Sequence, residues 1–160
     1  MDEFRWNRLR PGRLFGNLAL LGGFFFSVPQ ALAALGSDAA SIDADRAHFQ
    51  ASVKLTSHAL YDVHEMTLSS GTTVREYAAP DGVVFAIGWD GPAMPDLRQT
   101  LGAHFEEYLA AARANEAGYN HLAAQRGDLV IMSAGHMRAF AGRVYLASTV
   151  PPGVSIDELR

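Results

Sequence analysis

The 160-residue chain contains no cysteine. That excludes thiol nucleophiles, thiolate metal ligands and disulfides together. It also leaves no lipid attachment point behind the N-terminal apolar run, and no Arg-Arg pair supports a twin-arginine export route. Other signatures are missing too. There is no H-E-x-x-H zinc spacing, no G-x-S-x-G nucleophile elbow, and no G-x-x-x-x-G-K-[ST] or G-x-G-x-x-G phosphate loop. No repeat occurs at solenoid or propeller spacing. Basic charge is scarce, with 13 Lys and Arg against 17 Asp and Glu and a net charge of -4.

What is present begins with a three-part leader. Arg5, Arg8, Arg10 and Arg13 form a basic stretch, residues 14 to 28 an uncharged apolar run, and Ala31 and Ala33 an A-x-A exit. This layout predicts a secretory signal peptide over residues 1–33, cleaved after Ala33. A retained membrane anchor would need about twenty apolar residues. This run is shorter, contains Gly22 and Gly23, and ends at Pro29. Removing it leaves nine basic and fifteen acidic residues, a net charge of -6. An acidic exported domain is a poor partner for nucleic acid, and none is expected. Stable membrane insertion after cleavage is not expected either. The protein is expected to be periplasmic or secreted, and its residues 34–160 to form one domain held by its core alone.

Along that domain, Ile42, Phe49 and Val53 share a helical face, which predicts a helix over about 38–51 with Ser37 as N-cap. From residue 60 the period becomes two. Tyr61, Val63, Glu65 and Thr67 alternate with Leu60, Asp62, His64, Met66 and Leu68, and "SSG" and "PDG" mark turns between three strands. Pro95 and Asp96 open a second helix to about residue 113, with an apolar stripe of Leu97, Leu101, Phe105, Tyr108 and Ala112. "NEAGYNHLAAQRGD" reads as a loop, and "DLVIMSAG" and "HMRAFAGRVYLAS" as two strands turning at Ala134-Gly135. Pro151 and Pro152 open an irregular surface tail over 149–160. The expected fold is a two-layer α+β domain of order α-βββ-α-ββ, an antiparallel sheet of about five strands with helices on one face.

In "VVFAIGWD", alternation puts Val83, Phe85, Ile87 and Trp89 on one side and Val84, Ala86, Gly88 and Asp90 on the other. The small strip at Ala86 and Gly88 predicts close packing of the second helix, because strand glycines usually report packing. The sharper alternative is a ligand strip, with Arg75, Gly88, Trp89 and Asp90 as binding residues. Arg75 and Glu76 lie on opposite faces of their strand, where each can pair across to a neighbour. His104 and Glu107 lie three apart on one helix, but no second ligand pair accompanies them, so neither a metal site nor a cofactor is expected.

Four stretches are distinctive together: "ALGSDAASIDADRA", "SSGTTVREYAAPDGVVFAIGWDGPAMPDLRQTLG", "SAGHMRAFAGRVYL" and "VPPGVSIDEL". They resemble an exported proteobacterial family, domain of unknown function 2844. The resemblance spans nearly all of the mature chain and implies export and a Gram-negative envelope setting. It carries over no activity, cofactor or catalytic residue. Residues 52–58 and 115–126 match weakly and are read as variable loops. The expected role is a non-catalytic binding or interaction module acting on another envelope protein, with sheet edges able to accept a strand. The alternatives are a hydrolase built on His136, His104 and Asp90, and a structural envelope protein.

Overall fold

A computed structural model describes residues 35–116, 118 and 120–159; the signal-peptide reading falls outside them. It shows seven strands: β1 (Ser52–Ser57), β2 (Asp62–Thr67), β3 (Thr73–Ala78), β4 (Val84–Gly91), β5 (His121–Arg126), β6 (Leu129–His136) and β7 (Ala139–Leu146). They form one sheet of order β1-β2-β3-β4-β7-β6-β5, antiparallel throughout. The expectation of about five strands is therefore corrected: the domain is mostly β. The two added strands are the edges. Both lie in stretches that read as variable loops in the sequence, and each buries little: in β1 no residue is fully buried, and in β5 only Leu122 is.

Helix α1 (Ala39–Phe49) lies where a helix is expected, although its N-cap is Asp38 rather than Ser37; the Asp38 carboxylate accepts from Ala40 N at 3.1 Å. The second helix is broken into α2 (Leu97–Leu101) and α3 (Phe105–Arg113) by a 3-10 turn, Gly102–His104. The tighter turn rotates α3 about its axis, so Ala111 rather than Ala112 faces inward beside Tyr108. Asp96 caps α2 by accepting from Arg98 N and Gln99 N at 3.1 and 3.2 Å.

Two turns fix the added hairpins. Gly127 and Asp128 join β5 to β6 in a two-residue loop, with Gly127 at φ 56°, where glycine is favoured. The β6–β7 loop is Met137-Arg138, with β6 running on to His136, not the expected Ala134-Gly135 turn.

The sheet has two unlike faces. On one, Met66, Val74, Ile87, Trp89, Ile131 and Val144 pack with Ile42, Leu97, Leu101 and Tyr108 from the helices. On the other, Val63, Tyr77, Phe85 and Ala86 pack with Leu159, joined by Val150, Val154 and Ile156 of the C-terminal tail. The tail is irregular, as expected, but it is a lid rather than a surface appendage: Leu159 is only 2% exposed. The expected alternation in β4 fails at one place. Ala78 pairs with Val84 and Tyr77 with Ala86, so a β-bulge inserts Phe85. Val84 thus joins Ile87 and Trp89 on the helix face, while Phe85 and Ala86 both join the tail-side cluster. The helices consequently cover Ile87 and Trp89, and the expected helix packing over Ala86 and Gly88 does not occur.

Candidate functional site

Three residues stand in one row across the middle of the sheet. Gly88 of β4 is directly opposite Arg75 of β3 on one side and Arg143 of β7 on the other. Arg75 lies two residues from Tyr77, and Arg143 two from Tyr145, so strand alternation puts both arginines on the tail side. The floor beyond them is small: Ala134 of β6 pairs with Ala141 of β7. An open groove of about 540 Å³ lies over this floor, bounded by Arg75, Asp90, His121, Met132, Arg143 and Leu159. A second depression of about 640 Å³ shares Asp90, Ala134 and Ala141 and continues to His136 and Arg138.

The two guanidiniums are held differently. Arg75 Nε donates to Glu65 at 2.8 Å, and its Nη1 to Asp90. Burial works against its charge, but the bonds and field of Asp90, then of Glu65, outweigh that and raise its pKa. Arg75 is therefore a fixed, compensated cation. Arg143 instead grips the tail. Its Nη1 donates to the carbonyls of Ile156 and Leu159, the latter at 2.6 Å, while Asp157, 4.0 Å away, is almost fully exposed. The two carbonyls satisfy Nη1 without neutralising the charge, while the buried Nε has no hydrogen-bond partner among the described residues.

Of the residues singled out from sequence, Arg75, Gly88 and Asp90 come together here. Trp89 also borders the groove, but its indole is buried in the helix-side core, 1% exposed. Gly142 is what admits it: a Cβ at that position would stand 2.2 Å from the ring. Of the nominal hydrolase residues, Asp90 and His136 line the second depression together. His104 lies on the 3-10 turn, 3.9 Å from Glu107, and lines neither space. Among the described residues no group of three His, Asp or Glu side chains is placed to hold a metal ion.

Sequence reasoning misses Arg143, whose place beside Gly88 comes from pairing of distant strands. It also misses a buried acid pair. Asp45 of α1 and Glu76 of β3 are both 0% exposed, and Gln99 of α2 donates to Asp45 Oδ1 at 2.6 Å. Burial, then a hydrogen bond with Asp45 and its charge, push the Glu76 pKa up to about 10. Glu76 therefore keeps its proton at neutral pH and can donate it to Asp45, so one proton serves two carboxyls. His64 is opposite Glu76 on β2, and burial lowers its pKa against the raising fields of Asp62 and Asp43. Alternation with Val74 and Ala78 is the available signal that Glu76 faces inward. Closed to solvent, the pair fastens α1 to the sheet and offers no substrate access.

No helix among the described residues is long and apolar enough to cross a membrane. No curated protein and no solved structure matches the chain. The family model described as Protein of unknown function (DUF2844) matches residues 31–159, which takes in the whole sheet, its helices and the tail, and the chain belongs to that family.

Proposed function

We propose that the protein is exported and acts as a non-catalytic binding module of the bacterial cell envelope, with its ligand in the groove over Ala134 and Ala141, between Arg75 and Arg143. The observation that supports this most is the Arg75–Gly88–Arg143 row. It places two ordered guanidiniums beside an exposed floor of Ala134 and Ala141 that the tail leaves uncovered. A few fixed polar groups around an apolar floor are what a binding site needs for orientation. The leader over residues 1–33, with its A-x-A exit, supports export. Intact mass of the protein recovered from the envelope should correspond to a chain starting at Ala34.

The groove is tested by capture from envelope extract. Wild type should retain a partner or ligand that Ala141→Trp, which fills the floor, loses at unchanged melting temperature. A variant lacking His121, His136 and His104 should retain the same species. Equal capture by Ala141→Trp and wild type would refute the groove. Loss of an assayable hydrolysis in the histidine variant would favour the enzyme reading, for which the shared placement of Asp90 and His136 is the supporting observation.

A further inference from the structure

The two edges of the sheet are not equivalent. At the β5 edge, Asn115 reaches over from the end of α3 and donates its amide to His121 O at 2.5 Å and to Gly118 O at 2.8 Å, and α3 itself packs on β5. The β1 edge has no such cover among the described residues. Five of its six residues are exposed, and Leu55 is 56% exposed. Of the usual protections of a free edge it carries a single lysine, and no proline, bulge or inward-pointing charge. Its one charged residue, Lys54, is the only lysine of the chain and stands opposite Glu65.

We propose that β1 is the interface with a second copy of this chain, the two β1 strands pairing antiparallel about a two-fold axis at Leu55 so that two seven-stranded sheets become one. The register comes from parity. Val53 and Leu55 are opposite Met66 and His64, and Lys54 is opposite Glu65, so odd and even positions of β1 occupy different faces. Self-pairing that keeps faces aligned must be centred on a residue, not between two. Centred on Lys54, it sets lysine against lysine. Centred on Leu55, it sets Leu55 against Leu55, Lys54 against Thr56, and Val53 against Ser57. That register buries the exposed leucine and opposes no like charges. No acidic residue lies in β1, so the acidic balance of the domain does not fall on this edge. The pairing is isologous and closes after two copies.

The absence of cysteine makes the register directly measurable. Directly opposed residues in an antiparallel pair have Cβ atoms about 4.5–5.5 Å apart, near the separation a disulfide bridges. The protein produced from the full chain should show a concentration-dependent dimer in sedimentation velocity. Under mild oxidation, Leu55→Cys should form a covalent dimer roughly tenfold or more faster than Lys54→Cys, whose thiol faces Thr56 of the other copy. Leu55→Pro removes a backbone donor at the axis and should leave a monomer; its melting curve shows whether the fold survives, and Leu55→Lys, which keeps the backbone, should dissociate the dimer as well. Monomer at all attainable concentrations, or equal oxidation of the two cysteine variants, overturns the proposal. So does a wild-type monomer whose β1 amides become protected from exchange only with an envelope extract, since β1 would then accept a strand of a different chain.

Discussion

One face of the sheet is closed by helices and the other by a segment with almost no regular structure, and the two closures fail in different ways. The helix side is a continuous apolar layer across β2, β3, β4, β6 and β7. Removing a side chain there leaves a cavity that the whole domain shares. The tail side is a smaller cluster around Tyr77 and Phe85, closed by Leu159 and tied down by one arginine to two carbonyls. A defect there can be relieved by local detachment, which costs less than global unfolding. The contrast also explains where a ligand can go. Helices need a complete apolar stripe to dock, whereas an irregular tail can stop partway and leave β6 and β7 bare.

The largest effect should come from the helix side. Trp89→Ala empties the most voluminous fully buried side chain and should cost about 3–5 kcal/mol, read as a lost or steeply lowered thermal transition. The next is specific to the acid pair. A carboxyl whose folded pKa lies above its ordinary value of 4.5 holds a proton that the unfolded chain has released. Its stabilising contribution is complete below that value and drains away as pH rises toward about 10. His64, with its lowered pKa, acts only at the acid end, because the unfolded chain takes up its proton below about pH 6.5. Between pH 7 and 9 stability should therefore fall by about 1.4 kcal/mol per unit. Glu76→Gln, which cannot ionise, should flatten that slope in denaturant titrations; an unchanged slope would show that the pair is not the source.

On the tail side, Leu159→Ala should cost about 2 kcal/mol and raise amide exchange over residues 147–159 far more than in α1. Uniform acceleration across both faces would erase the distinction between them. The smallest effect belongs to Arg75→Ala. Its partners Glu65 and Asp90 are one-third and more than half exposed, so the loss should be no more than about 1 kcal/mol and should shrink in high salt. Its consequence should appear in binding instead.

These contrasts track what the sequence can and cannot express. β2, β3 and β4 are legible because each buries at least one face and carries period-two patterning, and Asp81-Gly82 marks the turn between β3 and β4. "SVKLTS" and "HLAAQR" carry almost no such signal, being edge strands with one neighbour and little to bury; Gly127-Asp128 alone announces the second. The Phe85 bulge is a pairing defect that only the partner strand reveals. Arg75, Gly88 and Asp90 lie within one local meander and can be brought together from sequence. Arg143 arrives from a strand more than fifty positions away and cannot.

That distant ladder bears on how the chain reaches its fold. β1 to β4 are joined by hairpins, as are β5 to β7, so five of the six ladders connect sequence neighbours. The β4–β7 ladder alone among the described strands closes a long loop, and loop closure is the slow, entropically costly event in sheet assembly. The seam therefore divides the molecule into two locally complete meanders. A backbone cut in the polar stretch between α3 and β5 spares every local ladder, so two separately expressed fragments should find each other through β4 and β7. Their union would assemble Arg75, Gly88 and Arg143 from two polypeptides, making groove occupancy a reporter of fragment complementation.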